Sequence, residues 1–470
     1  MFLKSKFLPL VLGLSILTCS QPKEKIVKTD LEQIRARGKL VALTGYSATS
    51  YFIYRGQPMG YEYELLSLLA EHLGLKLKIK IEDNLEQLFA RLNAGDADII
   101  AHDLTVTKER RQRVLFTDYL FTTQQVLVQR KPANWRQMKI HEIERQLITN
   151  PIQLIGKRVF VKENSSHVER LKNLSEEIGG DIVIVEVDGD TTSEQLIQMV
   201  SEGNIDYTIA DRHVALINQA YLTNLDVQMA VSFPQQIAWA VRKTSPELLK
   251  AVNEWIRSMK QKTAFYVIYN KYFKNRGAYI RRAKSDYLSV TGGKISEYDD
   301  FLKKKAAQIG WDWRLLASLI YQESQFNPFV KSWSGAVGIM QLLPKTAQKF
   351  GAKKLSDPYE NISAGVNYLK WLDNYWKKEI EDPLERRKFI LASYNVGIGH
   401  VQDARRLAQK FGKDPDLWDN NTEYYVLRLS EEKFFRDEVV QFGYCRGSEP
   451  CAYVKEILER YDQYRKFILA

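Results

Sequence analysis

The stretch Trp311–Pro328, W-D-W-R-L-L-A-S-L-I-Y-Q-E-S-Q-F-N-P, decides how this chain is read. Leu315, Leu316, Leu319 and Ile320 recur at the spacing of one helix face, so the segment predicts a mostly buried helix closed by Glu323. No other acid follows Glu323 in sequence until Asp357. A carboxyl group held against an apolar wall, away from other carboxylates, keeps its proton to higher pH and can donate it to a leaving oxygen. A glutamate at a helix end is also commonly a plain solvated residue, so the neighbouring motifs decide its role.

Downstream, S-G-A-V-G-I-M-Q-L-L-P (Ser334–Pro344) is rich in small residues, and Gly335 and Gly338 are expected to let the backbone approach a ligand closely. Further on, A-S-Y-N-V-G (Ala392–Gly397) adds Tyr394 and Asn395. The amides of Gln341 and Asn395 can offer donors and acceptors to sugar hydroxyls and acetamido groups. Taken in this order, the motifs between about Phe301 and Asp419 resemble the catalytic domain of the soluble lytic transglycosylase type, an all-α, lysozyme-like fold. That resemblance implies that Glu323 is the sole catalytic acid and later the base. It also implies that Ser332, Met340, Gln341, Tyr394 and Asn395 line a groove for peptidoglycan glycan strands. I-M-Q stands where the family commonly has L-M-Q, a conservative change. In that family the sugar's own 6-hydroxyl attacks and leaves a 1,6-anhydro end, in contrast to the paired carboxylates of most glycosidases.

Between Lys39 and Phe273, short β-rich runs alternate with amphipathic helices: L-V-A-L-T, a helix over 61–73, K-I-K-I-E, a helix over 85–93, A-D-I-I-A, then R-V-F-V, D-I-V-I-V-E-V and D-Y-T-I-A. This alternation predicts an α/β domain with mainly parallel strands, a class that binds ligands at strand ends and helix N-termini. L-T-V-T-K-E-R-R after one strand and K-E-N-S-S-H-V-E-R-L after another could grip a carboxylate with an Arg, hydroxyls and backbone N–H groups. These runs resemble the two-lobed family 3 solute-binding proteins, over about Leu40 to Phe273. The resemblance makes Arg110 the carboxylate-binding residue, Thr105 and Ser166 hydroxyl donors, and Asp211 the acid for a ligand's α-amino group, so an amino acid or muropeptide is the expected ligand. Asp103 and N-S-S depart from the family pattern, and Asp103 could favour a ligand bearing another amine. Lobe one is expected over about 39–127 and 235–273, with hinge strands near 128–131 and 230–233.

The N-terminus has Lys4 and Lys6 ahead of the apolar run Phe7–Leu17, too short for a stable bilayer span and read as a secretory signal. I-L-T-C-S resembles a lipobox, which makes Cys19 the lipidated first residue of a mature, membrane-anchored chain. An uncleaved anchor is the alternative. The expected order is a signal peptide over 1–18, an anchored linker over 19–38 and a solute-binding-like domain over 39–275. A linker over 276–295, a catalytic domain over 296–445 and a C-terminal extension over 446–470 follow. The destination is the cell envelope, facing the periplasm, with the outer membrane the preferred anchor. In such an oxidising compartment Cys445 and Cys451, flanking R-G-S-E-P, are expected to form a disulfide.

A chain of 470 residues with 45% hydrophobic and 27% charged residues fits two or three globular domains rather than a disordered polymer. Its net charge of +11 is spread along the chain with no nucleic-acid motif, so peptidoglycan or anionic lipid is the expected counterpart, not nucleic acid. The six histidines are scattered and no Cys/His group has metal-ligand spacing, so neither metal nor cofactor is expected. Three functions stay open: a lytic transglycosylase with a ligand-sensing domain, a receptor whose helical module docks on murein without turnover, and a hydrolytic muramidase.

Overall fold

The computed structural model describes residues 27–469; the expected signal peptide and Cys19 lie outside them. Two α/β lobes and a helical domain follow one another. In lobe one the sheet runs in spatial order Lys76–Ile81, Lys39–Thr44, Ile99–Ile100, Ala240–Val241, Leu115–Phe116. In lobe two the order is Val183–Val187, Arg158–Lys162, Tyr207–Asp211, Gln125–Arg130, Leu225–Asp226. Each sheet carries a hydrophobic cluster on both faces, which explains the near-continuous apolar strands. The expected parallel pairings hold at the centre of each lobe, whereas Gln125–Arg130 and Ala240–Val241 pair antiparallel because the chain re-enters there from the other lobe.

The crossover itself corrects the expected hinge. Phe121–Thr123 pairs antiparallel with Gln235–Ile237, and Gln125–Arg130 lies wholly in the lobe two sheet. Q-Q-V-L-V-Q-R reads as one uninterrupted strand in sequence, and nothing in its period marks where a chain leaves one sheet for another.

Two segments expected to be linkers are packed. Leu31 and Ile34 of the helix Leu31–Arg37 enter the lobe one core, while Asp30 accepts from the backbone of Glu247 and Leu248 at 3.0 and 2.8 Å. Farther on, Tyr279 of the helix Arg276–Ala283 is buried and donates to Asn218 of lobe two at 3.1 Å.

The helical domain is built on one cluster that includes Leu315, Leu316, Leu319 and Ile320, all fully buried as their spacing predicts. Pro358 and Pro383 open its long helices Pro358–Trp376 and Pro383–Val396, each capped by a preceding Asp. The tail expected as an extension is a helix, Ser448–Phe467, that packs along Trp313–Ser324 and belongs to the same core.

Cys445 and Cys451 also sit in that core, 4% and 5% exposed, as free thiols and not as the expected disulfide. The Cys451 sulfur faces the Glu423 carbonyl at 3.7 Å from the first turn of the last helix, while the Cys445 amide is tied to the Leu429 carbonyl. R-G-S-E-P is therefore spent on starting a helix, not on a loop free to close. Burial pushes the thiols up to about 11 and about 12, so both act as small core residues.

Lobe one and the helical domain share an interface. The hairpin Phe52–Tyr54/Gln57–Met59 inserts Ile53 into the core of the helical domain, and its tip carbonyl, Gly56, accepts from Tyr464 at 2.8 Å. Gly56 has φ 75, and a Cβ there would stand 2.8 Å from Phe326 and 3.1 Å from Tyr321. Phe467 stacks on Tyr46 at 3.8 Å between ring centres.

Candidate functional site

The helix Trp313–Ser324 is capped by Asp312, which accepts from the Arg314 amide at 2.9 Å. At its other end the chain turns abruptly: Gln325 and Phe326 both adopt left-handed backbone, φ 52 and 62. Two such non-glycine residues in succession cost about 1–3 kcal/mol each and persist only where surroundings impose them. Here Ser324 donates to the Ile339 carbonyl at 2.7 Å and Asn327 N–H returns to the Ser324 carbonyl at 3.0 Å. Glu323 thus sits where the helix meets the Gly-rich loop.

The carboxyl of Glu323 has one side-chain partner, the hydroxyl of Tyr453 from the last helix. Burial raises its pKa from 4.5 to about 7, while the Tyr453 hydrogen bond pulls the other way, and no neighbouring carboxylate acts on it. A glutamate with that value is part protonated at neutral pH, able to donate a proton and then to take one back.

The loop from Ser332 is held from within. Ser332 Oγ accepts from Ala336 N–H at 2.9 Å, and Asn361 grips the loop through Met340 N–H (2.9 Å) and the Val337 carbonyl (3.0 Å). Gly338 is in close approach, though not to a ligand: a Cβ there would meet Asn361 at 2.3 Å and the Leu355 carbonyl at 2.5 Å. Gly335 has open space around it and serves its φ of 86. Gln341, at φ 46, spends its amide nitrogen on the Val330 and Gly338 carbonyls (2.9 and 2.8 Å), so the expected sugar donor is a loop brace instead. Met340 does not line a groove. Its side chain is fully buried, with the sulfur against Gly365, and its carbonyl accepts from Tyr394 at 2.8 Å. Asn395 is exposed beyond Tyr394, and Phe329 and Trp333 stand out beside Ser332 at 80% and 100% exposure.

Sequence reasoning missed Tyr453, although a signal was there: Tyr453, Ile457 and Tyr464 share one face of the last helix and are all buried. Tyr453→Phe should raise the alkaline limit of turnover above about 7, because the bond it removes holds the Glu323 pKa down. Turnover itself should fall about tenfold or more, in line with a hydrogen bond to a charged group. A pH–rate profile with an unmoved alkaline limb would separate Tyr453 from the acid.

Between the lobes lies a cavity of about 90 Å³, whose lining includes Arg110, Ser166, Asp103, Asp211, Glu194 and Asp83. The expected residues Arg110, Ser166 and Asp211 meet there. Thr105 stands behind them: its carbonyl accepts from Arg110 at 3.0 Å and its hydroxyl from Ser166 at 3.2 Å. Asp103 pairs with His213 at 3.0 Å; burial pushes its pKa up, but His213 pulls it further, to a net value below the usual range. Asp211 rises to about 7 through burial and the charge of Asp103. His102 and His167 fall to about 4 by burial, so both are neutral at pH 7. Asp103 Oδ1, Asp211 Oδ1 and the Gln125 amide oxygen are buried acceptors without a donor.

The chain matches the family model for bacterial extracellular solute-binding proteins, family 3, over residues 40–275, and that of the transglycosylase SLT domain over 300–417. Among solved structures, an ancestral amino acid-binding protein, AncCDT-1, a precursor of cyclohexadienyl dehydratase, is 25% identical with a TM-score of 0.43, covering 52% of this chain and 99% of that one. A relative named membrane-bound lytic murein transglycosylase F from Desulfosudis oleivorans is 35% identical over 92% of this chain and 91% of its own length. Another of that name from Pseudomonas fluorescens is 31% identical over 92% of this chain and 86% of its own. With relatives of that name 31–35% identical along 92% of its length, and with both domain models matched, this chain belongs to the membrane-bound lytic murein transglycosylase F family.

Proposed function

We propose that the protein cleaves the β-1,4 bond between N-acetylmuramic acid and N-acetylglucosamine in peptidoglycan without water, leaving 1,6-anhydro ends. Glu323 first protonates the leaving oxygen, and its carboxylate then takes the proton of the sugar's 6-hydroxyl. The observation that carries this reading is a single part-protonated carboxyl with no second acid acting on it, where hydrolysis by a paired mechanism would need two. Ser332, Tyr394 and Asn395 border the glycan path, with Phe329 and Trp333 as aromatic faces for sugar rings. Digested murein weighed by mass spectrometry decides the point: anhydro-ended muropeptides are expected as the first and dominant product. Reducing ends, heavier by one water, would make the protein a muramidase, and no cleavage at all would leave a murein-docking receptor.

The cavity between the lobes is read as the seat of an amino acid or muropeptide, its carboxylate on Arg110 and Ser166 and its ammonium on Asp211. An ammonium carries three donors, and two buried carboxylate oxygens that line the cavity, Asp103 Oδ1 and Asp211 Oδ1, lack one. The shared interface offers a route by which closure of the lobes alters turnover, because the hairpin tip touches Phe326 beside the acid and the last helix carries both Tyr464 and Tyr453.

No helix among the described residues is long and apolar enough to cross a membrane, and relatives are named membrane-bound. A signal peptide ending at Thr18 and a lipid on Cys19, anchoring the protein in the outer membrane, reconcile the two. Cys19→Ala is then expected to move the protein to the soluble fraction, since the several acyl chains of a lipoprotein hold where one binds marginally. Variant protein that stays with membranes after a salt wash would point to an uncleaved anchor, and fractionation of the wild type assigns the membrane.

A further inference from the structure

Beside the Arg110–Asp211 group, the same cavity holds a second set of charges that an ordinary zwitterion leaves unanswered. Asp83 of lobe one and Glu194 of lobe two both line it. Asp83 accepts from Tyr46 N–H at 2.8 Å, and Glu194 from the Thr49 hydroxyl at 3.3 Å across the cleft. Neither is ion-paired among the described residues: Lys162, the nearby cation, gives its ammonium to the Asp83 backbone carbonyl at 2.5 Å. The lining therefore sets Asp83, Asp103, Glu194 and Asp211 against Arg110 and Lys162, with His213 answering Asp103 from behind. That this is a ligand cavity and not merely an acidic patch follows from two side chains that line it, Asp211 and His167. They are 8% and 7% exposed, and each has a polar atom that no protein group satisfies.

A carboxylate without a partner in such a cleft is costly, and burial raises the pKa of both Asp83 and Glu194, so that keeping either ionised there is disfavoured. A ligand bringing its own cation would pair with them instead. Resting on the reading that the cavity binds an amino acid, we infer that its ligand is a basic amino acid, whose side-chain ammonium or guanidinium is seated on Glu194 and Asp83. The carboxylate goes to Arg110, the α-ammonium to Asp211 and Asp103, and the second cation to the remaining acids. The cavity of about 90 Å³ has room for roughly six or more water-sized probes, in keeping with one such molecule.

Calorimetry on the full chain with L-lysine, L-arginine and L-norleucine tests this, because norleucine is lysine with a hydrogen in place of the terminal ammonium. Lysine or arginine should bind at least about tenfold more tightly than norleucine, the scale of one charge-assisted contact. Glu194→Gln, with an unchanged melting temperature, should erase most of that ratio and leave norleucine affinity as it was. Should Glu194→Gln fold poorly, Asp83→Asn carries the same comparison. Norleucine binding as tightly as lysine, or a ratio that survives both substitutions, overturns the inference while the amino-acid site stands. If none of the three binds, the amino-acid reading of the cavity fails and takes this inference with it.

Discussion

Glu323→Gln is expected to cut murein cleavage by about a hundredfold to ten-thousandfold, the usual worth of a positioned acid, while murein binding and the fold persist. The amide keeps the shape and can still accept from Tyr453, but has no acidic proton to give. Cleavage within about tenfold of wild type, from a variant that melts normally, would take the acid role from Glu323 and send the search to a carboxylate distant in sequence. The same substitution has a signature in stability. With the pKa raised from 4.5 to about 7, the folded chain holds a proton that the unfolded chain has released. The stability this contributes is full below 4.5 and is lost as pH rises through about 7. Glutamine has no such loss. The melting temperature of the variant should therefore gain on the wild type between about pH 5 and about pH 8, and a constant difference would mean that Glu323 is solvated.

Arg110→Ala should weaken ligand binding about thirtyfold or more, because removing one partner of a buried charge pair costs about 2–5 kcal/mol. The guanidinium is 7% exposed and already oriented by the Thr105 carbonyl, so little ordering remains to be done at binding. Calorimetry with amino acids and stem peptides gives the affinity, and murein digestion with and without each binder gives the coupling. A ligand shifts the lobes only as far as it prefers one state. Wild-type cleavage that responds to a binder, in a way Arg110→Ala abolishes, supports regulation. Binding without any response keeps the receptor and removes the regulation, and binding that ignores Arg110→Ala removes the carboxylate role.

Local signals carried the sequence reading a long way. The helix Leu85–Asn93 is found with its expected ends because Asn84 caps it at one end and Gly95 follows just beyond the other. Likewise Leu315, Leu316, Leu319 and Ile320 declare a buried face through their period alone. What escaped depends on distance. The bond from Tyr453 to Glu323 spans 130 residues, and no local pattern announces a partner so remote. Met340 stands in a motif that was expected to shape a groove, yet whether a side chain points in or out at a bend is set by the loop's fold, here by Asn361 and Gly365. The cysteines show the same limit from the other side, since a short spacing suggests a bond that the structure does not contain. Asp103 was visible as an anomaly, but its meaning required His213, which sits 110 residues away and packs between Phe121 and Phe273.

The position of Tyr453 in the chain also has a consequence for how the enzyme is made. Synthesis runs from the N-terminus, so the helix Ser448–Phe467 is among the last parts to emerge. Until it docks along Trp313–Ser324, Glu323 is expected to lack the Tyr453 contact and the cover of that helix, and a water-exposed glutamate returns to the ordinary carboxylate range and holds no proton at neutral pH. A chain whose last helix has not yet docked is thus expected to have no working acid. Competence is expected to arrive with the final segment, and a chain truncated ahead of Tyr453 should fail to cleave murein.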